Sequence, residues 1–344
     1  MIYYSIFLAA VSLMLLLSVY YKEASGFFFR WAVFVTMVFS GFRYDAGNDF
    51  FTYQDMIKGT FPYDKLEPIS KALIEISSYF GESWVFFLIT SIIYIYSVYY
   101  FCKELSDRPQ FSFFLFCVLP LSFLTSFGYV RQFLAIGFFC IALVHFLYGR
   151  KLKFWLFFVL SLMCHYSAIF FLPIFLLYGF LSKRVYPLVV YLIFIGVAFA
   201  SSGYVLLASK YVGVYGAYID GERFIDSGRK IGYVVIALFF YFYIFSLKER
   251  KKLNVFLLNV YFVFSCAYAL LMPFGEYIVR IIYFLFPSAY ILFSSTLVSN
   301  VKLRLVQSIG VICFGIALYF ATLYFATTNG VRDFLTNYSI SLFV

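Results

Sequence analysis

Leu152-Lys-Phe-Trp-Leu-Phe-Phe-Val-Leu-Ser-Leu-Met-Cys164, then His165-Tyr166, then Ser167-Ala-Ile-Phe-Phe-Leu-Pro-Ile-Phe-Leu-Leu-Tyr-Gly-Phe-Leu-Ser182 is the stretch on which the topology of this chain turns. Each apolar half falls short of the roughly 20 residues that a membrane-spanning helix takes. Read as one long helix, the stretch sends every later loop to the opposite side. Read as two short helices meeting near His165, it returns the chain to the face it left. The Lys and Arg residues decide between these. With two passes, the basic turns at Lys103, Arg150-Lys-Leu-Lys153, Lys183-Arg184, Lys248-Glu-Arg-Lys-Lys252 and Lys302 collect on one face. With one pass, the basic residues divide evenly. Short cationic loops stay inside, so two passes are expected, with both termini outside.

The rest of the chain agrees with a membrane solvent. It has 344 residues, of which 64% are hydrophobic and 12% charged, and a mean hydropathy of +0.94. These values lie far outside the soluble range. Long apolar runs without alternation argue for helices rather than a membrane barrel. Runs at 2–21, 27–42, 84–102, 111–127, 131–148, 152–164, 167–182, 185–202, 231–247, 254–272, 278–298 and 305–326 predict an all-α polytopic protein of about 12 spans. Residues 1–21 read as the first span rather than a removable leader, having no basic start and no small-residue cleavage site. With no internal repeat and no linker, residues 1–344 read as a single transmembrane domain. The cysteines form no CxxC pair and the histidines number two, so neither a disulfide framework nor a metal centre is expected.

Working outward from His165, the two-pass reading puts most of the chemically useful side chains on the outer face. Arg43-Tyr-Asp-Ala-Gly-Asn-Asp-Phe-Phe-Thr-Tyr53 opens an outer loop over 43–83, in which Leu66, Ile69, Leu73, Ile74 and Ile76 predict an amphipathic surface helix starting near Pro68. A second outer loop, 203–230, carries Arg223 and Arg229 among several glycines and reads as a lid or binding loop. Arg131 and Gln132 stand at the outer start of a span, where the arginine either snorkels to the interface or binds an anion beside the free N–H groups of the helix. His165 is either a satisfied turn residue or a group that exchanges a proton near neutral pH. Glu276 and Arg280, four apart, either pair along a helix or present Arg280 to a cavity. His145, at the inner end of its span, reads as structural.

Several arginines around an outward cavity imply an anionic ligand, because arginine binds phosphate bidentately and stays charged. There is no Gly-rich phosphate loop and no acidic or His/Cys ligand cluster, which argues against nucleotide and metal chemistry. A lipid-linked diphosphate fits, since it carries its own energy and its tail partitions into the bilayer.

In order and spacing, Arg43 with Gly47-Asn-Asp49 and Tyr53, Glu67-Pro68, Arg131-Gln132 with Leu134-Ala135, His165 with Ser167-Ala168, and Arg280-Ile-Ile-Tyr283 resemble the EpsG/Wzy-type polysaccharide polymerases of bacterial surface-glycan pathways. The likeness covers most of residues 25–290, and the segment after about 300 is expected only to close the bundle. The resemblance implies a GT-C-like membrane glycosyltransferase in the bacterial inner (cytoplasmic) membrane, its site facing the periplasm. It would join undecaprenyl-diphosphate-linked oligosaccharide repeats without metal or other cofactor. Its partners would be those lipid-linked glycans, membrane lipids, and a flippase and chain-length regulator of the same pathway, with no nucleic acid. O-antigen, capsule and exopolysaccharide polymerases share these features, so the polymer stays open. In this reading Arg43, Arg131 and Arg280 hold the leaving diphosphate. Asp49 or His165 takes the acceptor proton. Gln132, Tyr53, Arg223, Arg229, Glu276 and Tyr283 line the site as secondary substrate contacts. A flippase for a lipid-linked glycan and a ligase of finished glycan are the competing classes. Transporters show repeated halves and midplane polar residues, and this sequence shows neither.

Overall fold

The computed structural model describes residues 1–212, 227–246, 251–297, 300–328, 335 and 337–341. Among them the regular secondary structure is helical apart from one two-stranded pair. It groups into two compact units, Met1–Phe170 with Val301–Val344, and Phe171–Asn300.

The first unit is built on α1 (Ile2–Tyr20), α2 (Ser25–Gly41), α5 (Ser83–Leu105), α6 (Pro109–Val118), α7 (Val130–Leu147) and α8 (Lys151–Cys164), with α3 (Phe50–Ile57) and α4 (Pro68–Phe80) between α2 and α5. α5 packs on α2, α6 and α7, and α8 packs on α7. Lipid tails are as apolar as leucine, so helix association here rests on close packing rather than on escape from water. Gly137 of α7 serves that purpose. A side chain there would come within 3.2 Å of the Tyr94 Cα and Ser97 Cβ on α5. Ser161 of α8 donates to the Ala135 carbonyl at 2.8 Å and fixes the α7–α8 register.

Six helices among the described residues are long and apolar enough to cross a membrane: Ile2–Tyr20, Ser83–Leu105, Val130–Leu147, Leu188–Val205, Lys252–Phe274 and Val301–Ala326. The expected twelve full spans are therefore not confirmed, and local chemistry explains several shortfalls. The run 111–127 stops being helical at Val118. Leu119, preceding Pro120, is extended at ψ 147, as the proline ring demands of its neighbour. Residues 119–129 then wind through the protein interior, almost all of them buried. Irregular backbone at such a place is tolerated when protein, not lipid, surrounds it. Local turns supply its hydrogen bonds, including Ser126 N to the Ser122 carbonyl at 3.0 Å. The run 278–298 is broken likewise, into the 3-10 segment Arg280–Leu285 and the helix Ser288–Ser295 around Pro287. The expected loop 203–230 is partly helical: Leu188–Val212 extends into it and Ser227–Ser246 begins within it.

At the decisive stretch the helix ends at Cys164, and His165 is extended at φ −160, ψ 117. The chain continues as a 3-10 segment, Tyr166–Phe171, then the short helices Leu172–Leu176 and Tyr178–Leu181. No single straight helix runs through His165.

α4 is amphipathic as expected, but its apolar face is covered by protein. Ser70, Leu73, Ile74 and Ser77 are buried, and the helix packs on α5 and α8. Pro68 begins it and Gly81, at φ 71, ends it, the usual asymmetry of the two residues. The segment after residue 300 does more than close the bundle. Beyond the helix Val301–Thr328 the chain returns to the α2 terminus, where β2 (Ser339–Ile340) pairs antiparallel with β1 (Arg43–Tyr44). Tyr338 stacks on Phe39 at 4.4 Å, and Ser341 N donates to the Phe42 carbonyl at 2.8 Å.

In the second unit, Lys252–Leu271 packs against Leu188–Val212 and Ser227–Ser246. Buried Asn259 satisfies its amide there by donating to the Leu181 and Arg184 carbonyls and accepting from the Tyr191 hydroxyl at 2.7 Å.

Candidate functional site

Three separate pieces of the first unit converge on one carboxylate. Glu67 precedes Pro68 at the start of α4, in an extended conformation that turns its side chain inward. Its Oε2 lies 2.5 Å from Arg131 Nη1 and its Oε1 lies 2.8 Å from His165 Nδ1. Arg131 Nε donates to the Tyr53 hydroxyl at 3.1 Å. The Glu67 side chain is 6% exposed, whereas Arg131 and His165 retain 29% and 24%. The carboxylate is thus covered, and the guanidinium and imidazole that it orders are accessible.

The backbone holds these groups in place. Ser70 Oγ, one turn into α4, donates to the Cys164 carbonyl at 3.2 Å and ties that helix start to the end of α8. Arg131 belongs to the first turn of α7. Gly47, at φ 113, passes so close to the wound segment before α7 that an added Cβ would collide with the Phe127 carbonyl. That conformation and that approach both require glycine. The contact brings Asn48 against Gly128 and seats Asp49 at the start of α3, one turn before Tyr53.

The electrostatics follow from this burial and pairing. Burial acts to raise the Glu67 pKa, but the His165 hydrogen bond and the Arg131 charge outweigh it and hold the carboxyl down at about 2. Burial pushes the Tyr53 phenol up to about 12 despite Arg131, with Asp49 adding in the same direction. An ionised carboxylate, a neutral phenol and a fixed guanidinium therefore surround the imidazole at neutral pH.

Arg43, expected at the diphosphate, is enclosed by protein. It is 2% exposed, Nη1 donates to the Ser40 carbonyl at 2.6 Å and Nε to the Ala46 carbonyl at 3.1 Å. Its guanidinium lies between the Phe87 and Phe127 rings, 4.4 and 4.7 Å from their centroids. Burial pushes its pKa down to about 9. Arg43 braces the loop from within. Gln132 is buried at 3% exposure beside Arg131. Arg280 and Tyr283 belong to the second unit, where they share the segment Arg280–Leu285, Arg280 half-buried and Tyr283 buried. Arg223 and the side chains of Arg229 and Glu276 lie outside the described residues.

The structure gathers Arg131, His165 and Tyr53, all named from the sequence, around Glu67, to which the sequence reading assigns no role although Glu67-Pro68 is among its motifs. The signal was local: an acid immediately before a helix-starting proline, ahead of an apolar face, is an N-terminal position aimed at the core. Among the described residues no group of His, Cys, Asp and Glu is arranged to hold a metal ion.

Comparison with curated proteins and with solved structures gives no match. The model of the EpsG family matches residues 26–340, which takes in both units and the returning C-terminal strand. With nearly its whole length matched, the chain belongs to the EpsG family and is a membrane protein of polysaccharide biosynthesis.

Proposed function

We propose that this chain is a polysaccharide polymerase, a GT-C-like glycosyltransferase that joins undecaprenyl-diphosphate-linked oligosaccharide repeats at the outer face of the cytoplasmic membrane. The observation that carries the reading is the accessible Arg131 and His165 ordered by one covered carboxylate. The bond between the donor's anomeric carbon and its phosphate oxygen breaks, and the electron pair leaves with the diphosphate. A new bond forms from that carbon to an acceptor hydroxyl oxygen, whose proton passes to His165 or Asp49. Arg131 meets the charge growing on the leaving diphosphate, where a preorganised cation acts most strongly. The Tyr53 phenol holds Arg131 in its plane. Arg43 contributes through the loop it braces, and Arg280, in the second unit, is left outside these steps. The one-sided placement of Lys and Arg in short turns supports the outer orientation.

The test is purified protein in lipid nanodiscs given one lipid-diphosphate-linked repeat unit. Ladders of two, three and more repeats, with release of the lipid diphosphate, are expected. Transbilayer movement of the lipid without any ladder would replace the polymerase by a flippase. Transfer only to an unrelated acceptor would replace it by a ligase.

A further inference from the structure

A neutral imidazole has one N–H and one bare nitrogen, and the partner of one nitrogen decides the role of the other. His165 Nδ1 faces Glu67 Oε1 at 2.8 Å. An ionised carboxylate only accepts hydrogen bonds, so this contact requires the hydrogen on Nδ1. Glu67 is poorly placed to be a base itself, because its two oxygens are engaged by His165 and Arg131 and it is covered. It is well placed to hold something else still. Pro68 fixes the backbone beside it, Lys71 N donates to its carbonyl at 2.9 Å, and Ser70 joins its helix to the Cys164 carbonyl next to the histidine.

We infer that Glu67 is a positioning residue that acts through His165: it holds the ring hydrogen on Nδ1 and leaves the Nε2 lone pair to accept the acceptor hydroxyl's proton. The inference rests on the transfer reading above and chooses His165 over Asp49 as its base. In the step, the hydroxyl O–H bond breaks, its hydrogen becomes the Nε2–H of an imidazolium, and the oxygen forms its bond to the anomeric carbon. The imidazolium is balanced by the Glu67 carboxylate at Nδ1 and returns its proton to water after the diphosphate has left. A carboxylate behind a histidine base serves elsewhere by setting tautomer and orientation without itself taking the proton. The same carboxylate also accepts from Arg131, a contact that the amide oxygen of Glu67→Gln can keep.

Two measurements test this. The first needs no substrate and no substitution at the site. The chain has two histidines, so ring nitrogen-15 spectra of histidine-labelled protein in lipid, assigned with a His145→Gln sample, read the His165 tautomer. Protonated Nδ1 and bare Nε2 in the neutral ring are expected, and the opposite tautomer overturns the inference. The second is a double-substitution cycle on transfer. Glu67→Gln should lower turnover by about 100-fold or more in the native background. In a His165→Ala background the same change should cost less than about threefold, because the group it acts through is gone. Losses that multiply would make Glu67 an independent structural or arginine-holding residue and overturn the inference. Absence of transfer by the native protein would instead sink the polymerase reading, with the tautomer still judging the Glu67–His165 arrangement.

Discussion

Arg43 and Arg131 follow or open apolar runs in the same way, yet the fold treats them oppositely. Arg43 gives hydrogen bonds to two backbone carbonyls and is sandwiched by Phe87 and Phe127. Arg131 is paired with Glu67 and Tyr53 and stays partly exposed. A buried guanidinium whose partners are carbonyls and rings is part of the core, and its removal leaves acceptors unsatisfied. A guanidinium paired with a carboxylate at an accessible place has a partner that an incoming phosphate can replace. The contrast teaches that position at a membrane boundary does not separate an arginine enclosed in the core from one left accessible. Its assembled partners do.

The comparison breaks most sharply under substitution. Arg43→Ala should destabilise the folded protein by about 3–5 kcal/mol, from a cavity between two rings and two orphaned carbonyls. Thermal melting in detergent would show it, and Arg43→Lys should recover only part, since an ammonium cannot span both carbonyls or stack flat. Unchanged melting with lost transfer would return Arg43 to the ligand site. Arg131→Lys should do the reverse. Melting should hold within a few degrees while transfer falls about 100-fold, or roughly 2.7 kcal/mol of transition-state stabilisation. Native chain lengths in that variant, at equal protein level, would show that Arg131 only reaches for the interface.

How far the sequence could be read depended on the range of the interactions involved. Local signals worked well. Apolar run length gave a helical membrane protein, Pro68 gave the start of α4, and the polar Cys164-His165-Tyr166 interruption marked a real break in the helix. The wound segment 119–129 escaped because its leucines and phenylalanines prolong the apolar run before it, although Pro120, Ser122, Thr125, Ser126 and Gly128 mark it off. The pairing of β2 with β1 escaped because Arg43 and Ile340 are separated by most of the chain and two residues carry no strand period. Glu67 escaped for a related reason. Its partners lie 64 and 98 positions away, so its burial and its charge state belong to the assembled unit. The surroundings of Arg43 were not legible because a boundary arginine reads identically whether water, phosphate or two phenylalanines await it.

The smallest expected effect is the acid dependence of the Arg131 cluster, and it sharpens the comparison from the carboxylate's side. Glu67 has a folded pKa depressed to about 2, against roughly 4.3 for an unperturbed glutamate. The folded state therefore holds its proton less tightly than the unfolded state. Stability from this group is fully present above about pH 4.5 and is lost as pH falls toward 2. Solvent screening at the partly exposed Arg131 and His165 limits the loss to on the order of 1–2 kcal/mol across that window. Melting of native protein and of Glu67→Gln, compared at pH 5 and at pH 3, isolates the contribution, since the amide does not titrate. The native protein should lose more on acidification than the variant, while Arg43→Lys, at whose site no carboxylate contact is found among the described residues, should keep the native slope. Equal losses in native protein and Glu67→Gln would mean that the Glu67 pairs contribute nothing to folding. Their arrangement would then be explained by chemistry alone.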